Sequence, residues 1–362
     1  MDKTMTRRAF LALGGSLGAA MMGGCKGNDA GEQPTAEGSA QAEAAGAGID
    51  YLALVNKQHK LPDNWEDEVE IVSLTNSEDW DVDVEAKAYE AYLALKEDLE
   101  AEGVYIDLDS AYRSVAEQQR IVDEFTEKYG EEYVKLYVAV PGYSEHHTGL
   151  ALDLFLIIDG KGVYLNEDMV QYPEIWEKIH AKLADHGFIL RYLPQRKMFT
   201  GYSYEPWHIR YLDDVEIAHQ ITEAGLTFEE YLGEVDPQVA GCEVDYGTSE
   251  LYTEADIDSA LGAVLTEFSG WKGCTLKRFA YAGDEACGAD EIAYANELRE
   301  ANMPDLPAFD QVIVFVSDLR SPSAEDAEGT AWEPDTDYTN WSWHLGRTDA
   351  DGAWQLLTWG LG

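Results

Sequence analysis

Positive charge is what this chain has least of. Lysine and arginine total 25 against 70 aspartates and glutamates, a formal net charge of −45 over 362 residues. A phosphate backbone is held by cationic surface that displaces its counterions, so nucleic acid is excluded as a partner. Cysteine is scarce too: four residues are too few to staple a chain of this length as a disulfide scaffold. The most N-terminal apolar stretch, Ala9 to Gly24, is only weakly hydrophobic and falls short of the roughly 20 residues that a membrane span needs. What is present is an ordinary folded composition. Hydrophobic residues make up 45% and charged residues 26%, which excludes disorder throughout. At roughly 150 residues per domain the length predicts two or three domains.

Residues 1–25 read as an address. Lys3, Arg7 and Arg8 precede the weakly apolar run, and Thr6-Arg7-Arg8-Ala9-Phe10-Leu11 resembles a twin-arginine export signal. Met22-Gly23-Gly24-Cys25 resembles a lipobox, with Met22 where leucine is usual. That resemblance implies that Cys25 is lipidated and anchors an exported protein to the extracytoplasmic face of the membrane; an ordinary cleaved signal with a chance cysteine is the alternative. Residues 26–49, rich in Gly, Ala, Glu, Ser and Gln, have no apolar periodicity and read as a flexible tether.

From Tyr51 the pattern becomes globular, and residues 50–233 read as one domain. Val84, Ala88, Tyr92, Leu95 and Leu99 recur at helical spacing, with Gly103 as a stop. Val104, Ile106 and Leu108 alternate with polar residues as in a half-buried strand. Ser114 to Glu117 has the form of a capping box opening a helix with Ile121, Val122 and Phe125 on its apolar side. Leu150 to Ile158 reads as a buried strand, Pro173 opens a helix that Gly187 ends, and strands are expected at Phe188–Tyr192 and Tyr202–Leu212 before a helix at Val215–Ala224. Without βαβ regularity this predicts an α+β fold, helices packed on a mainly antiparallel sheet.

One residue breaks the pattern. Asp153 lies inside Leu150-Ala151-Leu152-Asp153-Leu154-Phe155, where a lone carboxylate is expensive to bury and demands a partner or a metal. His146 stands seven positions upstream, and His208 lies in Glu205-Pro206-Trp207-His208. Two imidazoles and a carboxylate suit a catalytic zinc ion, leaving the fourth tetrahedral position open. A core histidine and a salt-bridged aspartate would read the same from composition alone.

The motifs decide between these. Ser144-x-His146-x-x-Gly149-x-Ala151-x-Asp153, followed by Glu205-x-Trp207-His208 and preceded by Tyr112-Arg113-Ser114 and Gln118, resembles the signature of the zinc D-alanyl-D-alanine carboxypeptidases of the VanY type. The resemblance implies the zinc-peptidase fold shared with the D-Ala-D-Ala dipeptidases and the hedgehog signalling domain. It implies one zinc ion on His146, Asp153 and His208, with Glu205 as general base. Arg113, one residue before a helix cap, is a candidate for catalysis or substrate binding through an anion, either the substrate's terminal carboxylate or the oxyanion. Pairing with one of the many acids is its plainer role. Ser144 either donates to substrate or shapes the turn, Gln118 and Trp207 are candidate substrate contacts, and His147 is assigned to the rim or to the shell behind the ligands.

The implied reaction is hydrolysis of the terminal D-alanine from peptidoglycan stem peptides. A D-Ala-D-Ala dipeptidase, a peptidoglycan endopeptidase and a non-catalytic zinc-containing wall-binding lipoprotein are the alternatives, the last opposed by Glu205. An ideal strand would turn positions 205 and 208 to opposite sides, but a break at Pro206 would let both face inward.

Residues 236–362 have a different character and read as a second, smaller α+β domain of unknown role. Thr253–Asp256 caps a helix bearing Ile257, Leu261, Val264 and Phe268, and strands are expected at Cys274–Tyr281, Gln311–Val316, Trp341–Arg347 and Trp354–Trp359. Trp332, Trp341, Trp343, Trp354 and Trp359 read as a tryptophan-rich core in preference to a glycan-binding surface. Cys242, Cys274 and Cys287 predict one disulfide and one leftover thiol, with the pairing not deducible. Every expected ligand and the base precede Gly233, so the first domain is expected to suffice for cleavage.

Overall fold

The computed structural model describes residues 49–130, 134, 138–350 and 352–361. The export motif, Cys25 and most of the tether lie outside the described residues.

The first domain is built on an antiparallel sheet in the order β3-β4-β7-β6, where β3 is Ile106–Ser110, β4 Ala151–Ile158, β6 Phe188–Leu190 and β7 His208–Tyr211. A short β5 (Lys161–Val163) extends β4, and β1 (Ile71–Thr75) pairs with β2 (Asp81–Glu85) as a separate ribbon. Helices α1 (Trp65–Glu68), α2 (Ala86–Ala101), α3 (Val115–Tyr129), α4 (Asn166–Met169), α5 (Pro173–Leu183), α6 (Lys197–Thr200), α7 (Val215–Ala224) and α8 (Phe228–Leu232) surround it. The side-chain alternation of β4 divides the domain. Leu152, Leu154 and Leu156 are fully buried in one core with Ala88, Tyr92, Leu95 and Leu99 of α2 and Trp176, Ile179 and Leu183 of α5. Asp153, between them in sequence, is turned to the other face.

The helices follow their capping chemistry. Ser114 Oγ accepts the Glu117 N–H to start α3, and Pro173 occupies the first turn of α5. Val84, expected in the first helix, belongs instead to β2, and Glu85 caps α2 by accepting the Ala88 N–H. The β3 strand is more deeply buried than alternation suggests, because Asp107 is covered and bonded by the Tyr92 hydroxyl and the Ser77 N–H. The strand expected over Tyr202–Leu212 is shortened to His208–Tyr211. Proline cannot donate to a ladder, and at Pro206-Trp207 the chain turns so that the His208 N–H reaches Glu205 O at 3.2 Å.

The second domain is a five-stranded sheet, β12-β11-β10-β9-β8, with only β8 (Glu243–Asp245) parallel to its neighbour β9 (Thr275–Tyr281). Strands β10 (Gln311–Arg320), β11 (Asp337–Arg347) and β12 (Gln355–Leu361) complete it. Helix α9 (Glu254–Phe268) covers the face of Trp343, and α10 (Ala289–Asn302) the opposite face through Glu291 and His344. Trp343 and Trp354 are buried, Trp332 and Trp341 are half-buried, and Trp359 is 40% exposed. Trp271 joins the group, its ring meeting those of Trp332, Trp341, Trp343 and Trp359.

The expected disulfide is absent: Cys242, Cys274 and Cys287 are all buried free thiols. Each is enclosed by the apolar core, and burial pushes all three thiols up. Alkylation in denaturant without reductant, followed by peptide mapping, will therefore find all three labelled.

Gly149, in the turn before β4, has φ +73°, and a Cβ there would stand 3.1 Å from the Glu85 Cβ. Gly149→Ala is expected to destabilise the domain by about 1–3 kcal/mol in urea unfolding.

Candidate metal centre

The centre begins with strand register. Asp153 of β4 is directly opposite His208 of β7 and also pairs with Ser110 of β3. Cross-strand partners present their side chains on one face, so residues 55 positions apart meet. His146 arrives from the 3-10 turn Glu145–Thr148, which leads through Gly149 into β4.

Asp153 Oδ1 lies 2.9 Å from His208 Nδ1, and Asp153 Oδ2 lies 3.2 Å from His146 Nε2. The far nitrogen of each ring is already committed. His146 Nδ1–H donates to Ala111 O at 2.8 Å, and His208 Nε2–H donates to Glu145 Oε2 at 3.2 Å. The near nitrogens therefore present lone pairs to a carboxylate that is also an acceptor. Acceptor facing acceptor calls for positive charge between them, which a metal ion or a proton supplies. One ligand atom from each residue lies within 4.8 Å of the others, and a tetrahedral centre with zinc bonds near 2 Å would hold its ligands roughly 3.3 Å apart. The donor set fits zinc, and hydrogen bonds behind both imidazoles are how such ligands are oriented.

Without a metal ion, a proton on His208 supplies that charge. Burial works to raise the Asp153 carboxyl, but His146 and His208 outweigh it and hold it well below the usual range. Burial lowers His146. His208 is raised despite burial, because Asp153 and Glu145 flank it.

Glu205 sits in the turn before β7 with its Oε2 3.9 Å from His208 Nδ1, its side chain one-third exposed. Burial and the Asp153 carboxylate push its carboxyl up to about 7, against the pull of His208 and Lys57. His180 of α5 donates Nε2–H to Pro206 O at 2.9 Å and so fixes the turn that brings Glu205 and His208 to one side. Tyr192 lies on the His208 ring at 4.7 Å between centroids, and Tyr202 stacks on Tyr192 at the same distance.

The remaining expected residues are distributed unevenly. Arg113 is beside the centre: its N–H donates to His146 O, and its Nη1 donates to Gln118 Oε1 at 2.9 Å. Gln118 is buried and donates to Ala139 O, so it stands behind Arg113 as a support. Trp207, expected at the substrate, is 7% exposed and packed in the core, because its position next to His208 points to the helical side of the sheet. His147 is not at a rim. It is fully buried, donating from Nδ1 to Arg113 O and accepting the Gly142 N–H at Nε2, and so ties two loops together. Ser144 is buried and begins the 3-10 turn without a side-chain cap, its carbonyl accepting the His147 N–H.

The residues that went unnoticed in the sequence are those behind the centre. Glu145 is completely enclosed, accepting from Arg191 Nε at 2.9 Å, from Arg210 Nη1 at 2.8 Å and from His208. Arg191 also forms a two-point pair with Glu229, which accepts from Asn56. Arg210 was detectable in principle: in a strand it must share a face with His208, two residues before it.

These features define an α+β protein whose two histidines and one carboxylate could hold a metal ion, beside a carboxylate of the kind hydrolases use as a base. A profile of the family described as "VanY: D-alanyl-D-alanine carboxypeptidase" matches residues 81–214. A D-alanyl-D-alanine carboxypeptidase of Enterococcus faecalis is 34% identical over 190 residues, covering 50% of this chain and 65% of that protein, just under two thirds of its length. A bifunctional D-Ala-D-Ala dipeptidase and carboxypeptidase of Enterococcus gallinarum is also 34% identical, over 51% of this chain and 94% of its own. A solved vancomycin-resistance D,D-pentapeptidase in complex with Zn(II) is 33% identical, with a TM-score of 0.42, covering 51% of this chain and 99% of that one. The chain belongs to the VanY D-Ala-D-Ala carboxypeptidase family.

Removing Glu145 would leave Arg191 and Arg210 short of a buried counter-charge and His208 without its orienting acceptor. Glu145→Ala is expected to cost about 3–5 kcal/mol in denaturant unfolding and to lower metal affinity in equilibrium dialysis.

Proposed function

We propose that this chain is a zinc-dependent peptidase that removes the terminal D-alanine from peptidoglycan stem peptides. The convergence of His146, Asp153 and His208 beside Glu205 carries the reading. Those three residues would hold one zinc ion, which supplies Lewis acidity toward a carbonyl oxygen and lowers the pKa of a neighbouring water. Glu205, its carboxyl near neutrality and partly open to solvent, accepts a proton from the attacking water. The water oxygen bonds to the scissile carbon, the carbon–nitrogen bond breaks, and Glu205 returns the proton to the leaving amine. Arg113, braced by Gln118, offers its guanidinium to the anionic side of the substrate. The Tyr192 ring packs on His208, with Tyr202 stacked behind it.

Both a dipeptidase and a carboxypeptidase activity are in the name of the Enterococcus gallinarum relative, so dipeptide cleavage is the second reading. Incubation with a pentapeptide stem and with free D-Ala-D-Ala, followed by mass spectrometry, separates them. Release of one D-alanine from the pentapeptide supports the proposal, and cleavage of the dipeptide alone replaces it.

Glu205→Gln is expected to retain zinc while turnover falls roughly 100- to 10,000-fold, the contribution of a positioned acid–base group. His146→Ala is expected to lose zinc. Metal analysis of both purified variants, read beside turnover, separates base from ligand; loss of zinc in Glu205→Gln would make Glu205 a ligand.

We further propose that the domain is exported and held at the membrane through lipidated Cys25. A diacylglyceryl-type anchor supplies more than the marginal binding of one chain. Cys25→Ser should release the protein from the membrane fraction, and unchanged retention would contradict the anchor.

A further inference from the structure

We infer that residues 236–362 are a working part of the catalytic centre, because they grip the loop Gln195–Glu205 that forms one wall of it and ends in the base. This inference rests on the peptidase reading above and assigns the second domain a role within it. It also reverses the expectation that the chain up to Gly233 suffices.

The loop leaves β6 past Arg191 and Tyr192, and everything it does at its inner side concerns the centre. Tyr202 stacks on Tyr192, which lies on the His208 ring. Gly201 O accepts from Lys57 Nζ at 2.8 Å, and that ammonium sits 4.6 Å over the Tyr202 ring. The Glu205 N–H donates to Tyr192 O at 3.3 Å.

The outer side of the same loop is bonded to the second domain, while α6 also packs on α8 of the first. Gln195 has a left-handed backbone, φ 58°, which costs a non-glycine residue energy unless its surroundings hold it. Two bonds hold it. Its N–H donates to Glu254 Oε1 at 3.0 Å, and its side-chain Oε1 accepts the Tyr246 N–H at 3.1 Å. One turn further along α9, Asp258 is buried, accepts the Tyr246 hydroxyl at 2.6 Å and the Ser203 hydroxyl at 3.4 Å, and has Lys197 Nζ at 3.6 Å. Glu254 and Asp258 are four residues apart, so one face of α9 presents both carboxylates to the loop. Between these polar grips, Met198 and Phe199 of α6 pack against the hydrophobic core of the second domain. Helix α6 thus stands between α8 of its own domain and α9 of the second, packed against both.

The division of labour is therefore physical. Ligand geometry at the centre depends on β4, β7 and Glu145, whereas the loop that carries Tyr202 and leads into Glu205 is held from α9 as well as from its own domain. Loosening the grip should spare the metal and impair the reaction. Asp258 and Glu254 are positioning residues, since they bond the loop and Tyr246 and neither touches the proposed ligands or the base.

The test is the Glu254→Ala/Asp258→Ala double variant of the full chain, with Asp258→Asn beside it. Thr253 and Asp256, which cap α9, are left intact. Zinc content is expected to stay at the wild-type level. Hydrogen–deuterium exchange in the peptide spanning 195–204 is expected to accelerate, while peptides of β4 and β7 remain as protected as in the wild type. On the pentapeptide stem, kcat/KM is expected to fall roughly 10- to 100-fold, mostly through kcat, the size of loss that a displacement near 1 Å produces. Asp258→Asn, whose amide oxygen can accept from Tyr246 while its NH2 donates to the Ser203 hydroxyl, is expected to recover most of the activity. Unchanged exchange at 195–204 would overturn the grip. Accelerated exchange with wild-type kcat/KM would overturn its catalytic role, and loss of zinc together with activity would reduce α9 to a structural element. A wild-type chain that cleaves no stem peptide would overturn the peptidase reading instead, and the exchange comparison, made without substrate, would still decide whether the loop is held.

Discussion

Glu145 is the residue on which the rest of the centre depends. A carboxylate with no access to water survives only if every lone pair is answered, and here two guanidinium groups and an imidazole answer it. The consequences run in two directions. Toward the centre, Glu145 takes the Nε2–H of His208 and so turns the other nitrogen to Asp153. Toward the periphery, Arg191 and Arg210 carry the charge pattern outward to Glu229, Asn56 and the carbonyls of Tyr51 and Ala53. The N-terminal segment, β6, β7 and α8 are thus fastened to the same carboxylate that orients a metal ligand. Burial would raise a lone carboxyl; the arginines outweigh this and keep Glu145 ionised.

Core and centre share one cause in β4. Its pairing with β7 places Leu152 and Leu154 toward α2 and α5 and Asp153 toward His208. A slip of one residue would expose the leucines and bury the aspartate on the wrong face, so hydrophobic packing enforces the register that the metal centre needs. Ser110 on the other neighbouring strand donates to Asp153 Oδ2 at 3.1 Å, so the carboxylate is steadied from both sides.

What the sequence showed and what it hid divide along physical lines. Helical periods gave α2, α5, α7 and α9, because one face of each is apolar. Asp153 was legible because it interrupts a hydrophobic run, whereas His146, His208 and Glu205 were singled out by the resemblance of their motifs to the VanY-type signature. Glu145 was not, since one acid among 70 has no mark of burial until its arginine partners are known. Arg191 and Arg210 were hidden for the same reason. The strand proposed across Tyr202–Leu212 was too long, while the break expected at Pro206 is found, with the ladder beginning only at His208. The reading of Trp207 as a substrate contact overlooked strand alternation, which sends it to the core. Helix α10 went unseen because its inward face holds Ala295 and Arg299, the latter donating to Leu306 O, and no hydrophobic period announces such a face. The disulfide was inferred from an oxidising compartment, whereas the thiols are simply core side chains.

The account stands on the claim that the lone pairs of His146 Nε2, Asp153 and His208 Nδ1 converge on a zinc ion. Anomalous diffraction collected on both sides of the zinc absorption edge, from crystals of protein purified without added chelator, tests this most directly. A single peak per chain bounded by those three side chains is the result expected. A peak elsewhere, or none there after equilibration with zinc, would contradict it.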